Sequence, residues 1–555
     1  MEGILQIGKQ KDGIDVVAQF TGRIKIADKP ATTVYCLRLT IMVLTFFLII
    51  LSAIALAAAF PPIDLEFLAW IGMSSFFFAL DGKNRKSGFF LGLLWGFIFF
   101  MGTIYWVVNS MVSYGGIPFF TGALILILLA LYLSLFFGMF GLGMAAMSSV
   151  NMMSPMLTIL FAPSLWVALE YLRGNMITFG FPWALLGYSQ STFLPLIQIA
   201  DITGVYGISF LIVMVNAVIF FALSYWIGKE KRLPVKEGLL VFIILMVVLI
   251  YGLFRISEID KVSEHWKTLR IAIVQGNIDQ GRKWDASFQK QTVDIYRNLS
   301  LDTAKQGVRL IIWPETAVPF YLQSDKDLGM EIFNVPKQTN TYLLTGSPAY
   351  GPGFGGEIKY YNSAFLISPE GEIIGKYDKI HLVPFGEYVP LKKYLPFIHK
   401  LVVGVGDFTP GKWLEPLEFE GNSFGVLICF ESIFPELARG FIKDGAGFLI
   451  NITNDAWFGK TSAPYQHFSQ AVFRAVENKV FLIRSANTGI SGVIDPIGRV
   501  RAQSGIFTRE TIGDEVKLRD ARLFTFYSRY GDIFAIGCFL FVVGFCLLVV
   551  KRKRK

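Results

Sequence analysis

The sequence predicts a polytopic α-helical membrane bundle of eight spans joined to a single extracytoplasmic α/β domain. Three observations carry this. Apolar residues make up 53% of the chain and charged residues only 17%, against ~25% charged in ordinary soluble domains. The excess is concentrated: residues 38–255 are almost continuously apolar, 256–530 read as a globular domain, and 531–550 are apolar again. Basic residues gather in alternate connecting segments, which orients the bundle.

A spanning helix needs ~20 apolar residues. The runs that meet this are 38–59, 62–80, 88–109, 120–146, 156–172, 203–227, 238–255 and 531–550. The first has a basic flank and ends in small residues, as a signal peptide does, but its length and the spans that follow at once favour a retained helix. Lys83, Arg85 and Lys86 lie between the second and third runs, and Lys229, Lys231, Arg232 and Lys236 between the sixth and seventh. The chain closes on Lys-Arg-Lys-Arg-Lys, while the connections after the first and third runs have no Lys or Arg. Both termini are therefore expected in the cytoplasm and the globular domain on the far side. The expected organisation is a cytoplasmic tail at 1–37, a seven-helix transmembrane domain at 38–255, a catalytic domain at 256–530, and an eighth span with a basic cytoplasmic tail at 531–555. The net charge of +9 follows the same distribution, so it signals membrane orientation and not nucleic-acid binding. The aromatic segment 170–202 is too long for a simple turn. Phe181, Trp183 and Tyr188 suit an interfacial belt there, with Glu170 and Arg173 at a membrane edge. The sharper alternative is part of a lipid-facing site.

Within 256–530, strand-like runs occur at 269–274, 309–313, 342–345, 363–368, 424–429, 447–452 and 480–485. Helical apolar spacing occurs at 287–306, 435–443 and 464–477. Strands mixed with helices of these lengths imply a layered α/β domain, and most strand runs are apolar throughout, as when both faces are covered.

Three segments carry chemistry. In Leu-Ile-Ile-Trp-Pro-Glu, 310–315, a carboxylate follows a buried strand and a proline, held at the sheet's rim beside Trp313 as a usable general base. Lys379 and His381 lie in 376–388, a stretch too often interrupted by polar groups for a core strand and expected to be a loop over a pocket. In 425–435 a cysteine, Cys429, ends an apolar strand directly before a helix, a geometry that resembles a nucleophile elbow; the helix N-terminus is expected to favour its thiolate. Cys429 is the only cysteine between 256 and 530, so no disulfide can form inside the domain. Taken singly, each segment also has an ordinary structural reading; their joint order makes the chemical one.

Glu315, Lys379 and Cys429 in these contexts resemble the nitrilase, or carbon–nitrogen hydrolase, superfamily. The flanking spans, VQGNIDQ at 274–280, WPET at 313–316 and HLVPFGEYVP at 381–390 are similar to the apolipoprotein N-acyltransferase family. The likeness runs from about residue 38 to the end and includes the YLRG, GFPW and GYSQ strings. It implies an extracytoplasmic αββα sandwich on an eight-helix bundle in the bacterial inner membrane, with the sandwich in the periplasm. It implies an acyl transfer from a phospholipid to the α-amine of a diacylglyceryl-cysteine on a lipoprotein, through a thioester on Cys429. Glu315 would take the thiol proton, and Lys379 would stabilise the oxyanion with backbone N–H groups near Phe430. By similarity Glu387, Glu431, Asn362 and Trp284 support the site, Glu387 orienting Lys379 and Trp284 walling an acyl pocket. Members often carry tyrosine after the nucleophile where this chain has Phe430. The implied partners are the phospholipid donor and the diacylated lipoprotein, and the chain is expected to act as a monomer.

Other classes fare worse. A membrane-tethered amidase or nitrilase acting on a small C–N substrate needs the same triad but only one span. A transporter would place ionisable residues at mid-bilayer, and few lie within the runs. His265, His381, His399 and His467 lack metal-ligand spacing, no phosphate-binding glycine pattern occurs, and Gly-x-Ser-x-Gly is absent; no metal or cofactor is expected.

Overall fold

The computed structural model describes residues 31–149, 154–176, 180–353, 357–388, 407–520 and 523–554. The apolar runs fold as helices α1 (Ala31–Ala58), α2 (Phe67–Leu80), α3 (Arg85–Thr103), α4 (Phe119–Ser149), α5 (Pro155–Gly174), α6 (Val205–Trp226) and α7 (Val235–Ser263). Residues 1–30 of the expected tail lie outside the described residues, and α1 begins inside it, at Ala31. Among the described residues five helices, α3 to α7, are long and apolar enough to cross a membrane. The second run is shorter than expected: α2 has 14 residues, about 21 Å at 1.5 Å per residue, because the turn at 60–66 takes up its first residues. Phe242, Val247, Ile250 and Phe254 on α7 point outward and exposed, a surface that hydrocarbon would cover.

Inside the bundle, packing replaces hydrophobic contrast. Trp95 stacks on Phe76 at 4.7 Å and on Phe99 at 5.7 Å. Its Nε1 donates to Ser52 Oγ at 2.9 Å, and that hydroxyl donates to Gly72 O at 2.7 Å. Helices α3 and α4 touch backbone to backbone: a Cβ on Gly92 would collide with the Phe137 carbonyl, and one on Gly141 with the Gly88 carbonyl.

The globular domain has two mixed six-stranded sheets. Strands β1 (Lys267–Gln275), β2 (Leu310–Ile312), β3 (Tyr342–Pro352), β4 (Ile358–Ile367) and β5 (Ile373–Asp378) form the first. Strands β6 (Leu417–Phe419), β7 (Asn422–Ile428), β8 (Phe448–Thr453), β9 (Leu482–Ala486), β10 (Gly492–Ile494) and β11 (Val500–Gln503) form the second, while β12 (Glu510–Leu518) returns to pair with β1. Helices α8 (Ala286–Ala304) and α9 (Asp327–Thr339) cover the first sheet: Ala272, Val274, Ile311 and Trp313 pack with Val293, Tyr296 and Val335. Helices α10 (Pro435–Lys443) and α11 (Ala463–Asn478) cover the second. Ile271, Ile273 and Ile312 share one continuous core with Val426, Ile428 and the membrane helices. The layers therefore run helix, sheet, sheet, helix. A last helix, α12 (Ile533–Arg554), returns to α5.

Residues 376–378 are strand β5 and not a loop: β5 is an edge strand whose residues are mostly partly exposed, and an edge accommodates polar side chains that a central strand does not. The segment 170–202 also departs from expectation. Trp183 and Tyr188 are wholly buried. Trp183 Nε1 donates to Gln466 Oε1 at 2.7 Å, and Tyr188 Oη accepts from Arg474 Nη2 at 3.1 Å, so they fill the seam between bundle and sandwich instead of an interfacial belt. Glu170 and Arg173 hold this segment, through Leu186 N–H at 2.7 Å and Trp183 O at 2.8 Å.

Replacing Gly92 by Val forces α3 and α4 apart. Overpacking of this kind costs about 1–3 kcal/mol, and the unfolding temperature of the full chain in detergent should drop measurably; an unchanged temperature would refute the close approach.

Candidate active site

Each functional segment ends a strand at the same end of the sandwich. Glu315 follows β2 across Trp313 and Pro314, and the chain then reverses at Thr316 with φ +46°. Gly346 on β3 makes the reversal possible, since a Cβ there would collide with Thr316 N. Cys429 ends β7 with φ +53°, a left-handed conformation that is costly for a non-glycine residue and gathers at functional sites. Lys379 follows β5, its N–H donating to Asn362 O at 2.8 Å.

The side chains converge in the interior. Lys379 is 1% exposed; its Nζ reaches Glu387 at 3.0 Å and Glu315 Oε1 at 3.5 Å. Burial alone would lower this ammonium, but Glu387 and then Glu315 hold it above its ordinary value. Asn362 Nδ2 donates to Glu315 Oε1 at 2.7 Å and to Glu387 Oε1 at 2.8 Å, locking both carboxylates in place. Glu387 also accepts from Val383 N–H at 2.7 Å. Glu431 does not face this cluster. It accepts from Ile428 N–H and Ile380 N–H, each at 2.7 Å, from His381 N–H at 3.1 Å and from Tyr377 Oη at 2.9 Å. Burial lifts its carboxyl to about 7 against the pull of those N–H groups and Lys379.

The Cys429 thiol is buried, and burial, then Glu315, push it up to about 12, against the pull of Lys379. This corrects the expectation of a thiolate held by a helix N-terminus: only a five-residue 3₁₀ turn, Cys429–Ile433, follows the strand, and desolvation dominates. At neutral pH the group is a thiol that needs a base at the moment of attack. Phe430 lies half-buried beside it, stacked on Phe181 at 6.5 Å and against Phe434 at 5.2 Å. Trp284 is half-buried in the turn after β1. Residues 389 and 390 of the HLVPFGEYVP string lie outside the described residues.

Two features escaped the sequence reading. Beneath the elbow, His467 Nε2 lies 3.2 Å from Cys429 O and 2.8 Å from Ser432 Oγ, while His467 Nδ1 and Arg484 Nη2 meet Asp455 at 3.1 and 2.7 Å. Although burial opposes it, Arg484 and His467 hold the Asp455 carboxyl well below the usual range. The second is Lys283, whose Nζ donates to Glu315 O at 3.2 Å and Thr316 Oγ1 at 2.6 Å. His467 sits in a helical apolar pattern and Lys283 in a polar turn, so neither carries a local signal. Among the described residues no group of three or more His, Cys, Asp or Glu could hold a metal.

Two mixed sheets between helical layers define a domain of the carbon–nitrogen hydrolase class, and the pattern described as carbon-nitrogen hydrolase matches residues 270–525. The pattern described as apolipoprotein N-acyltransferase N-terminal domain matches residues 52–218. The chain is 43% identical over 510 residues to the apolipoprotein N-acyltransferase of Geobacter metallireducens, covering 92% of this chain and 96% of that one. It is 32% identical to the protein of the same name from Methylococcus capsulatus, covering 91% and 95%. Among solved structures, a mutant of the Nesterenkonia AN1 amidase from the nitrilase superfamily matches 47% of this chain and 93% of that one, at 22% identity and a TM-score of 0.35. The chain belongs to the apolipoprotein N-acyltransferase family.

The repulsion between Glu315 and the thiol has a measurable sign. Glu315→Gln removes one cause of the raised pKa, so alkylation of Cys429 by iodoacetamide at pH 8 should accelerate by roughly tenfold, the effect of one pKa unit. A slower reaction would show that Glu315 does not raise the thiol.

Proposed function

We propose that this chain transfers an acyl chain from a phospholipid to the α-amine of the diacylglyceryl-cysteine of a lipoprotein, through a thioester on Cys429. The observation that carries it is the convergence of Glu315, Lys379 and Cys429 in a domain packed against apolar helices, in a chain of this family. As the acyl carbonyl arrives, Glu315 takes the Sγ proton while Sγ–C forms, which suits a thiol too buried to ionise unaided. Lys379 and backbone N–H groups near Phe430 receive the oxyanion. The ester C–O bond then breaks, and the proton on Glu315 passes to the lysophospholipid oxygen. The lipoprotein amine attacks the thioester and gives a proton to Glu315; the C–S bond then breaks and that proton passes to Sγ, which returns the thiol and the carboxylate. Glu387 and Asn362 position Lys379 and Glu315; Glu431 positions the elbow; Phe430 and Trp284 line the acyl path.

The same reading places the domain boundaries near 37, 255 and 530, has eight helices cross the inner membrane, and sets the sandwich in the periplasm. The alternation of Lys and Arg between connecting segments supports that side. The proposed enzyme acts as a monomer. Confinement of both lipid substrates to the membrane surface explains why the domain is seated on a bundle. Exclusion of water by the buried site protects the thioester from hydrolysis.

Protein purified with phospholipid should carry an acyl adduct by intact-mass analysis, removable by hydroxylamine and missing in Cys429→Ala. An adduct that persists in that variant would overturn the mechanism. Accumulation of the adduct without a lipoprotein amine, and its discharge when one is added, separates transfer from hydrolysis of a small C–N substrate.

A further inference from the structure

Lys283 is a second buried lysine beside the cluster, 1% exposed, and neither of its hydrogen-bond partners, Glu315 O and Thr316 Oγ1, is charged. Burying an ammonium against neutral acceptors is costly, so something must hold it there. The holding is elaborate. Around its loop, Gln275 Nε2 donates to Gly505 O at 2.9 Å, Ile278 N–H donates to Asn487 Oδ1 at 2.9 Å, and Asn454 Nδ2 donates to Gln280 Oε1 at 2.6 Å. The polar residues of the VQGNIDQ string thus pin the loop to the connections of the second sheet and carry Lys283 to the turn that bears Glu315.

Charge explains what it does there. Lys379 already sits between two carboxylates, Glu315 and Glu387, which leaves the cluster without a cation to spare when a thiolate forms. The titratable groups that act on Lys283 are Glu315, on the turn after β2, and Cys429, at the elbow. The acids of its own loop face elsewhere: exposed Asp279 accepts from Gly281 and Arg282 N–H, and exposed Asp285 accepts from Ser287 N–H.

We propose that Lys283 is a positioning residue of the catalytic centre, fixing the Glu315–Thr316 turn and placing a second ammonium where it favours passage of the Sγ proton from Cys429 to Glu315. This rests on the acyl-enzyme reading. Burial, opposed by Glu315 and Cys429, lowers Lys283 to about 8. Its charge, and with it the support for thiol ionisation, is therefore present below about pH 8 and lost above.

The test follows Cys429 alkylation by iodoacetamide between pH 6.5 and 9.5 in the full chain in phospholipid nanodiscs, read by peptide mass so that the other cysteines do not contribute. In the native chain the rate should rise about tenfold per pH unit and flatten near pH 8. In Lys283→Met the rate at pH 7 should be roughly tenfold lower, one pKa unit, and the profile should rise without the break. Lys283→Arg keeps its charge across the range, so it should lose the break while staying faster than Met at pH 7. A purely structural lysine would alter the rate but not abolish the break. A break retained in Lys283→Met, or a native profile with no break, overturns the proposal. If Lys283→Met does not fold, the native and Arg profiles decide it alone. The acyl adduct is measured on the same samples: its absence from native Cys429 sinks the acyl-enzyme reading, while the alkylation profiles still judge Lys283.

Discussion

The carboxylate of Glu431 joins the two sheets at the point where both deliver site residues. It is fully buried and accepts from the N–H of Ile428 on the second sheet and from Ile380, His381 and Tyr377 on the first. Four donors satisfy a carboxylate that burial would otherwise penalise heavily. Because Ile428 precedes Cys429 and Ile380 follows Lys379, this one group sets how the nucleophile's elbow stands relative to the lysine. Removing it would take the acceptor from four donors, two of them fully buried, and leave two strand ends free to drift.

A second constraint comes from the membrane side. The floor of the elbow is the carbonyl of Cys429, held by His467, whose ring lies 5.6 Å from Trp183 in the segment between α5 and α6. Trp183 donates to Gln466, and Gln466 Nε2 donates to Pro61 O at 3.3 Å. Nearby, Ser110 Oγ donates to Trp457 O at 2.9 Å. Bundle and elbow thus share one packed seam, and the sandwich is seated on the helices with its reactive end held by them. That arrangement seats a hydrolase-like domain directly on the apolar helices.

The electrostatics of the cluster follow from burial more than from any single pair. A thiol, two carboxylates and two ammonium groups share a largely buried space, where interactions between charges are strong and an unmatched charge is expensive. The thiol stays protonated at rest, and in the proposed acyl transfer its proton leaves as the bond to carbon forms. Matching the charges at that moment needs more than the Lys379 ion pairs, which is why a second lysine beside Glu315 has physical sense.

Much of the architecture was legible before any coordinates. Apolar length and period are local properties, so the long spans, the central strands β1, β2, β7, β8 and β9, and helices α8, α10 and α11 could be placed within a few residues. The segments bearing Glu315, Lys379 and Cys429 were legible too, because each is a strand end with an unusual polar group. Edge strands β5, β11 and β12 were not, since their mostly polar, exposed residues read as loops until a partner is known, and the buried β10 is only three residues long. Nor were the burial of Trp183 against Gln466, 283 residues away, or the approach of Lys283 to Glu315 across 32 residues. The sequence by itself determined a membrane chain with a cysteine-bearing α/β domain. Only the tertiary structure decided which charges meet, because desolvation and hydrogen bonding depend on neighbours that the linear order keeps far apart.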